Sequence, residues 1–459
     1  VNRNVLSNPK VRTIIADARE VLLTSPELYD LIVSEPSNPY RAGVASLYTR
    51  EFYQAVDRRL APGGIFSQWI QAYEIDTQTV RTIYATLASV FPQVETWQTM
   101  GRDLLVLCSR APRTHSVPQL RRRLAAEPFR TALRVSWCAI DLEGFLSRFV
   151  ATPSFARTVA GKELQYGWLN TDDRMLVEFG FARTVGRKMV FSPADLEEAA
   201  RRKGENRLPV SGGEVDWELV DENRLRMYIL EGVAVSNFSW LGKERGLRAK
   251  AYGQFLRGNF KAGLDTWEQQ SRIPEHPLEL ALVAEAFADK GDSRAVQLVK
   301  KLQVLWPVEA DAIRARFYWK TKQPEPALQA YMAAFKRLRS DPWPYGVIMS
   351  RTLNLALEMA IDNPKAARQL FDLLSVPFAV GIMNESRSLV LLELAGRLGN
   401  PEIVEALKHF EPHPIWKGPF LNKRADVYKK MGDPRAKQAE KDLNEFLMDA
   451  SVRIGATIN

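Results

Sequence analysis

The first 110 residues alternate short runs of β-branched residues with amphipathic stretches, which is the pattern of strands and helices in a parallel α/β sheet. The runs predict strands at Val11–Ala16, Tyr29–Ser34, Ile65–Trp69, Gln93–Thr99 and Leu104–Ser109. The amphipathic stretches predict helices at Phe52–Leu60 and Thr77–Phe91. A short turn at residues 100–103 joins the last two strands, so we expect an antiparallel hairpin at the edge of the sheet.

The next part of the chain is more helical and locally basic. Residues 111–200 are interpreted as a helical extension of the first domain, and they include a polar segment, Trp168–Asp173, that leads into the apolar Met175–Phe181. Glycines and a proline are concentrated in Lys203–Val215. Such residues interrupt helices and strands, so residues 201–235 are predicted to be a linker.

Beyond residue 220 the chain repeats a short sequence that ends one helix and begins another. The repeated sequences begin at Gly258, Gly291, Gln323, Asn363, Gly399 and Gly432. The spacing of Ala262, Ala295 and Ala327 is close to the ~34-residue period of tetratricopeptide repeats, which this region resembles. We therefore predict a helical solenoid over residues 236–459. Its intervening aromatic residues are expected in the core, and its concave surface is expected to bind a protein or peptide.

Length and composition limit the class of protein. The 459 residues exceed the usual size of one core, and 46% hydrophobic with 25% charged residues is typical of a folded chain of two or three domains. No apolar stretch approaches the ~20 residues that cross a bilayer. Cys108 and Cys138 form neither a disulfide framework nor a metal-binding spacing. These features favour a cytoplasmic location for this chain.

A net charge of +9 raises the question of an anionic partner. Acidic residues are interspersed with the basic ones through most predicted helices, and the densest basic cluster, Arg121–Arg123, is short. We therefore expect no nucleic-acid partner.

Polar residues directly after the predicted strands are the candidate site, because ligands of doubly wound sheets bind beyond the carboxyl ends of the strands. These residues are Asp17, Glu35, Asn38 and Gln68. All four histidines lie outside this segment, which disfavours a Ser/His or Cys/His nucleophile, and the sequence has neither a P-loop nor an HExxH motif. We expect no metal. The sequence also lacks a glycine-rich turn after a first strand, so it is expected to begin inside a domain.

Several of these residues lie in a recognisable context. Tyr29–Pro39 and Ala45–Tyr53 resemble spermidine synthases, the polyamine aminopropyltransferases. Asp17-Ala18-Arg19 is similar to an Asp-(Ala/Gly)-Arg element of that family, and Pro62-Gly63-Gly64 with Gln68 is similar to its next glycine turn and strand. The resemblance covers residues 1–110.

The resemblance implies a partial Rossmann-like sheet of the class I methyltransferase type, here followed by the tetratricopeptide-like helices. Leu169–Asp173 is similar to a segment of the large, often membrane-fused bacterial branch. That likeness implies an upstream region that would supply the glycine-rich turn and anchor the parent protein in the inner membrane.

The implied co-substrate is a sulfonium nucleoside, decarboxylated S-adenosylmethionine or S-adenosylmethionine, with no tightly bound cofactor. The implied reaction is aminopropyl transfer to an amine. Asp17 and Ala18 would bind the nucleoside, with Asp17 at the adenine amino group, and Gln68 would also contact substrate. Glu35 occupies the position of the proton-accepting Asp, and Asn38 that of a second Asp that helps to bind the diamine.

Two departures from the family leave alternatives open. Glu35 keeps a carboxylate but moves it by one methylene, whereas Asn38 removes a negative charge that a dicationic amine needs. A different amine, an S-adenosylmethionine-dependent methyltransferase, and a non-catalytic scaffold or nucleoside sensor are the alternatives. Structural roles also remain open: a helix cap for Asp17 or Glu35, a turn for Asn38, loop fixation for Gln68, and a cap and a solvated carboxylate for Asp172 and Asp173.

Overall fold

A computed structural model describes residues 5–41, 43–99, 103–185, 191–232, 240, 242–341, 343–361 and 363–456, the last seven by their backbone only. Two compact units make up the chain, and the boundary between them falls between Ala249 and Lys250, inside a helix. The first unit contains all the strands of the described residues. The second is helical.

The strands of the first unit form two sheets. The strands are β1 Tyr29–Ser34, β2 Leu60–Ile70, β3 Gln93–Gln98, β4 Leu104–Ser109, β5 His115–Ser116, β6 Phe149–Ala151 and β7 Val210–Ser211. The main sheet has the order β1-β2-β4-β3-β6, and β5 pairs with β7. Only β1 and β2 are parallel within the main sheet, because β4, β3 and β6 each run antiparallel to their neighbours. The sheet is therefore mixed rather than parallel throughout.

The helices of the first unit are α1 Ala18–Thr24, α2 Arg50–Arg59, α3 Thr77–Ala88, α4 Val117–Ala125, α5 Phe129–Trp137, α6 Leu142–Leu146, α7 Pro153–Gln165, α8 Gly180–Thr184, α9 Pro193–Arg202 and α10 Trp217–Leu230. The boundary lies in α11 Lys243–Leu256. The helices of the second unit are α12 Phe260–Trp267, α13 Pro277–Lys290, α14 Arg294–Leu305, α15 Pro307–Lys320, α16 Pro324–Leu338, α17 Gly346–Ala360, α18 Pro364–Leu374, α19 Asn384–Leu398, α20 Asn400–Lys408, α21 Gly418–Lys430 and α22 Ala436–Ala456.

Apolar cores cover both faces of the main sheet. Along β4 the side chains alternate, so that Val106 packs with Phe66 and Ile83 in one core while Leu105 packs beside Trp97 in the other. This alternation follows from the two-residue period of a strand. A mixed sheet with a helical layer on each face is consistent with the Rossmann-like domain predicted from the sequence.

Two strand predictions need correction. Residues 11–15 are irregular rather than a strand, and Ile15 is 99% exposed. Within the described residues no neighbouring strand pairs with this segment, and β structure requires such a partner for its backbone groups. The β3–β4 hairpin exists, but it does not form the edge of the sheet, because β6 pairs with β3 through Thr96 and Ala151. Residues 100–102 of its turn lie outside the described residues.

The structure places the predicted linker inside the first unit. Val210–Ser211 pairs with His115–Ser116, and Arg224 of α10 is 1% exposed. Its guanidinium donates a hydrogen bond of 2.9 Å to the carbonyl oxygen of Phe149. The glycines of this segment therefore form a loop of the first unit, and residues 233–239 lie outside the described residues.

In the second unit, a helix ends and another begins at each of the six predicted sequences. Gly291, for example, has a φ of 71° in the left-handed region and caps α13 three residues before α14 begins. Ala295 and Ala327 are fully buried where helices pack, but Ala262 is exposed and the neighbouring Gly263 is the buried small residue. The assignment of these helix pairs to the tetratricopeptide class stays a prediction. Within the part of the chain that the structure describes, no helix combines the length and apolarity that a membrane crossing requires.

Candidate functional site

The candidate site lies at the carboxyl ends of β1 and β2. The parallel register pairs Ser34 with Gln68, so Glu35 leaves β1 beside the last residues of β2. Strand β4 begins at the same edge, because Leu104 lies opposite Ile70, the last residue of β2. Loops from three strands therefore converge where open α/β sheets bind their ligands.

Asp17 caps helix α1, and the cap alternative is therefore observed. Its Oδ1 accepts hydrogen bonds of 2.8 Å and 3.3 Å from the backbone N–H groups of Arg19 and Glu20. Ala18 is the first residue of that helix. Asp17 is exposed and follows an irregular segment rather than a strand end. A carboxylate has about four lone-pair positions, so capping leaves Asp17 able to accept a hydrogen bond from a ligand.

The loop after β1 contains Glu35 and Asn38 in different environments. The Glu35 side chain is exposed. The carbonyl oxygen of Asn38 accepts a 3.0 Å bond from the N–H of Arg41, which closes a turn. The Asn38 side-chain amide donates to the hydroxyl of Tyr40 at 2.5 Å, and that hydroxyl donates to Glu74 at 2.8 Å. Asn38 therefore has the turn role, and its side chain also links the loops after β1 and β2.

Two buried glutamines present unpartnered oxygens at this edge. Gln68 and Gln71 are both fully buried. The Nε2 of Gln68 donates to the carbonyl oxygens of Trp69 at 2.9 Å and Ser34 at 3.5 Å, and that of Gln71 donates to Tyr73 at 2.6 Å. Among the described residues, neither Oε1 has a hydrogen-bond partner. Gln68 thus fixes the loop through its nitrogen. Buried acceptors in folded proteins nearly always have a hydrogen-bond partner, so the unpartnered oxygen of Gln68 is an acceptor available to a ligand.

Asp103 is a further acidic residue at the site that the analysis of strand ends missed. It immediately precedes β4, and burial raises its pKa. Hydrogen bonds from the Trp69 side chain and the Ala72 backbone oppose that effect, whereas the nearby charge of Glu35 adds to it. The signal in the sequence was the predicted hairpin, because an antiparallel β4 starts at the edge where β2 ends and Asp103 is the residue just before it.

The comparisons with known proteins concern the same part of the chain. Residues 1–105 match the spermine/spermidine synthase domain. This part of the chain is thus similar to the aminopropyltransferases. The chain is 30% identical to polyamine aminopropyltransferase 2 of Pseudomonas aeruginosa over 99 residues, 21% of this chain and 28% of the relative.

Two other relatives cover similar shares. A polyamine aminopropyltransferase of Synechococcus sp. is 31% identical over 112 residues, 23% of this chain and 35% of the relative. Thermospermine synthase ACAULIS5 of Arabidopsis thaliana is 33% identical over 101 residues, 21% of this chain and 30% of the relative. The chain thus spans about a third of the length of these curated relatives. No solved structure gives a significant match.

The aminopropyltransferase-like segment contains every candidate residue named above. The polar segment Leu169–Asp173 lies beyond it and has a structural role. Asn170 is fully buried, and its amide donates to the carbonyl oxygen of Ala45 at 3.1 Å while its Oδ1 accepts the N–H of Val177 at 3.1 Å. The carboxylate of Asp172 pairs with Arg19 at 2.9 Å, and this pair lowers the pKa of Asp172. The segment thereby holds the Asp17-Ala18-Arg19 turn.

No group of three or more His, Cys, Asp or Glu side chains within the described residues is arranged to hold a metal ion.

Proposed function

We propose that the chain is a spermidine-synthase-like transferase that moves an aminopropyl group from decarboxylated S-adenosylmethionine to an amine. The observation that carries this proposal is the convergence of Glu35, Gln68 and Asp103 at one sheet edge, inside the segment that resembles aminopropyltransferases. The edge combines carboxylates with open carbonyl acceptors. Such groups suit a cationic amine.

The chemistry needs a base but no metal. The amine nitrogen attacks the methylene carbon beside the sulfonium, a C–N bond forms, and the C–S bond breaks with its electron pair passing to sulfur. Methylthioadenosine leaves, and the nitrogen loses one proton. Glu35 is the proposed acceptor of that proton, because it is an exposed carboxylate at the end of β1. Asp17 is the proposed partner of the adenine amino group, and Ala18 and Gln68 are proposed to line the substrate site.

A non-catalytic nucleoside sensor is the second candidate function. It is favoured by Asn38, which stands where the family that the chain resembles has an acidic residue. The neutral amide of Asn38 is already hydrogen-bonded to Tyr40. A sensor would bind the nucleoside without turnover. A methyltransferase would instead bind S-adenosylmethionine more tightly than its decarboxylated form.

Calorimetric titration of the chain with methylthioadenosine, decarboxylated S-adenosylmethionine and S-adenosylmethionine separates these candidates. We expect the decarboxylated donor to bind more tightly than S-adenosylmethionine, Asp17→Ala to weaken binding, and Glu35→Gln to keep binding while abolishing turnover. Asp265→Ala, which removes an exposed carboxylate in the other unit, is the control. Binding of none of the nucleosides would contradict both the transferase and the sensor.

We also propose that the helical unit binds a protein or peptide segment. A groove of about 350 Å³ between α14 and α15 is lined mainly by apolar side chains, including Val299, Val304 and Phe317, together with the polar Lys300, Gln303 and Arg314. The groove suits an apolar peptide with an acidic residue. Peptides selected from a random library on the intact chain should lose binding to Val304→Glu, a change at an 82% exposed position. Unchanged binding would place the partner elsewhere.

A further inference from the structure

The candidate amine site lacks a negative charge at Asn38 but has another one at Asp103. A diamine carries two ammonium groups near neutral pH, and aminopropyl transfer uses only one of its nitrogens. The second ammonium needs an anionic partner, because a buried cation without one is strongly unfavourable. The neutral Asn38 amide cannot supply this charge, and its nitrogen donates a hydrogen bond to the Tyr40 hydroxyl.

Several neighbours place the Asp103 carboxylate inside the site. The Trp69 side chain at the end of β2 and the backbone of Ala72, two residues after it, both lower the pKa of this carboxylate and so oppose the effect of burial. Its charge acts on the hydroxyls of Tyr48 and Tyr73 from the same edge, where burial is the larger cause of their raised pKa values. Asp103 Oδ1 is buried and has no hydrogen-bond partner among the described residues.

The Glu35 carboxylate also acts on Asp103. Burial is the main reason why the pKa of Asp103 is raised, and repulsion by the Glu35 carboxylate contributes in the same direction. Two like charges that share a space are stabilised by a cation between them. The pair therefore fits a dication better than a monocation.

Independent support comes from Gln68 and Gln71. Both side chains are fully buried, and each has an Oε1 without a hydrogen-bond partner among the described residues. The nitrogen of Gln71 is bonded to the carbonyl oxygen of Tyr73, next to the Ala72 backbone that Asp103 contacts. An ammonium group has three donors and no acceptor. It can donate to several such oxygens at once, whereas a ligand group without an N–H or O–H cannot satisfy them.

We infer that Asp103 is the anionic anchor for the non-reacting ammonium of a diamine acceptor and replaces the charge that is absent at Asn38. The inference rests on the proposed transferase function and specifies its substrate class. Glu35 then serves the reacting nitrogen, and Asp103 with the open oxygens of Gln68 and Gln71 holds the other end. Asp103 makes and breaks no covalent bond.

The test compares two acceptors of the same length, putrescine and n-butylamine, which differ by one ammonium group. Asp103→Asn keeps the shape of the side chain and removes its charge. With decarboxylated S-adenosylmethionine as donor and the intact chain as enzyme, we expect the KM for putrescine to rise about 10-fold to 100-fold, the range of a lost hydrogen bond to a charged group. The KM for n-butylamine should change less than about 2-fold, and methylthioadenosine should bind as before.

Glu74→Gln is the matched control, because the Glu74 carboxylate lies at the same edge but is bonded to the Tyr40 hydroxyl. It should leave the preference for putrescine intact. Equal losses for both amines in Asp103→Asn, or an unchanged KM for putrescine, would overturn the inference, since a purely structural role would not distinguish the two amines.

Calorimetric titration of putrescine into the chain saturated with methylthioadenosine separates this inference from the proposed function. Putrescine binding that Asp103→Asn weakens, without any turnover, would support the anchor and contradict the transferase. Failure of the unmodified chain to bind putrescine would overturn the anchor.

Discussion

Glu309 gives the second unit a stability that depends on pH. The residue lies in the first turn of α15 and is 3% exposed, and its carboxylate accepts a 2.5 Å hydrogen bond from the N–H of Tyr345 before α17. Burial raises its pKa from an ordinary value of 4.5 to about 7. Hydrogen bonds from the backbone of Tyr345 and of Glu309 itself oppose this rise, and the charge of Asp341 adds to it.

The direction of the effect follows from proton linkage. Because the folded-state pKa lies above the unfolded value, the folded chain holds a proton between pH 4.5 and about 7 that the unfolded chain has released. Stability therefore falls as the pH rises through this window, and the whole cost is present above about pH 7. At about 1.4 kcal/mol per pH unit, the difference between the two pKa values corresponds to about 3 kcal/mol.

Glu309→Gln removes the charge and keeps the oxygen that accepts from Tyr345. We expect the variant to be more stable than the unmodified chain by about 3 kcal/mol at pH 8 and by less than about 1 kcal/mol at pH 5. Urea unfolding followed by circular dichroism at both pH values measures the difference. Glu325→Gln, at an exposed position of α16, should show no such pH dependence. A variant that is less stable than the unmodified chain at pH 8 would refute the reasoning.

Two further predictions concern packing in the second unit. Arg351→Met removes one of the two arginines that pair with the 1% exposed Glu285, the one at 2.6 Å, and leaves Arg316 at 3.3 Å. We expect a loss of about 1–3 kcal/mol in urea unfolding, of which adding Glu285→Gln recovers only a part, because Arg351 also donates 2.7 Å hydrogen bonds to the carbonyl oxygens of Phe255 and Leu256. An unchanged stability of Arg351→Met would contradict the argument. Gly263→Ala places a Cβ 2.4 Å from the Phe255 ring, so we expect it to lower the free energy of unfolding by about 1–3 kcal/mol. The control is Gly246→Ala, whose Cβ meets nothing within 4 Å and which should be neutral or stabilising. Equal shifts of the melting temperature for the two variants would count against the contact.

Local signals in the sequence predicted several elements well. The Tyr29–Ser34 strand has the predicted bounds, because its β-branched run is flanked by residues that end strands. The six predicted helix boundaries of the second unit contain glycine, asparagine or proline. Glycine and asparagine favour the left-handed conformation that ends a helix, and proline favours the first turn of the next one. Residues 11–15 have the same β-branched pattern but no pairing partner in the described structure, so pattern alone gave a wrong strand.

Contacts between distant segments were harder to predict. Asp103 became a site residue only when β4 was paired with β2, and the link between Asn170 and Ala45 joins residues 125 positions apart. The small residue at the first helix crossing is Gly263 rather than Ala262. Successive residues of a helix are about 100° apart around its axis, so neighbouring positions face different sides, and the repeat pattern did not show which of the two faces the core. The residues that end a strand can be read from the sequence. The residues of other strands that lie beside them depend on how the strands are paired and in which register.

Product formation tests the central proposal most directly. The intact chain is incubated with decarboxylated S-adenosylmethionine and each of putrescine, cadaverine and 1,3-diaminopropane, and both methylthioadenosine and the aminopropylated amine are quantified by mass spectrometry, with Glu35→Gln beside it. The account predicts equal amounts of the two products with at least one diamine, and their loss in Glu35→Gln. A chain that binds methylthioadenosine but forms no aminopropylated amine would contradict the proposed transferase function. Product formation that Glu35→Gln leaves unchanged would contradict the role of Glu35.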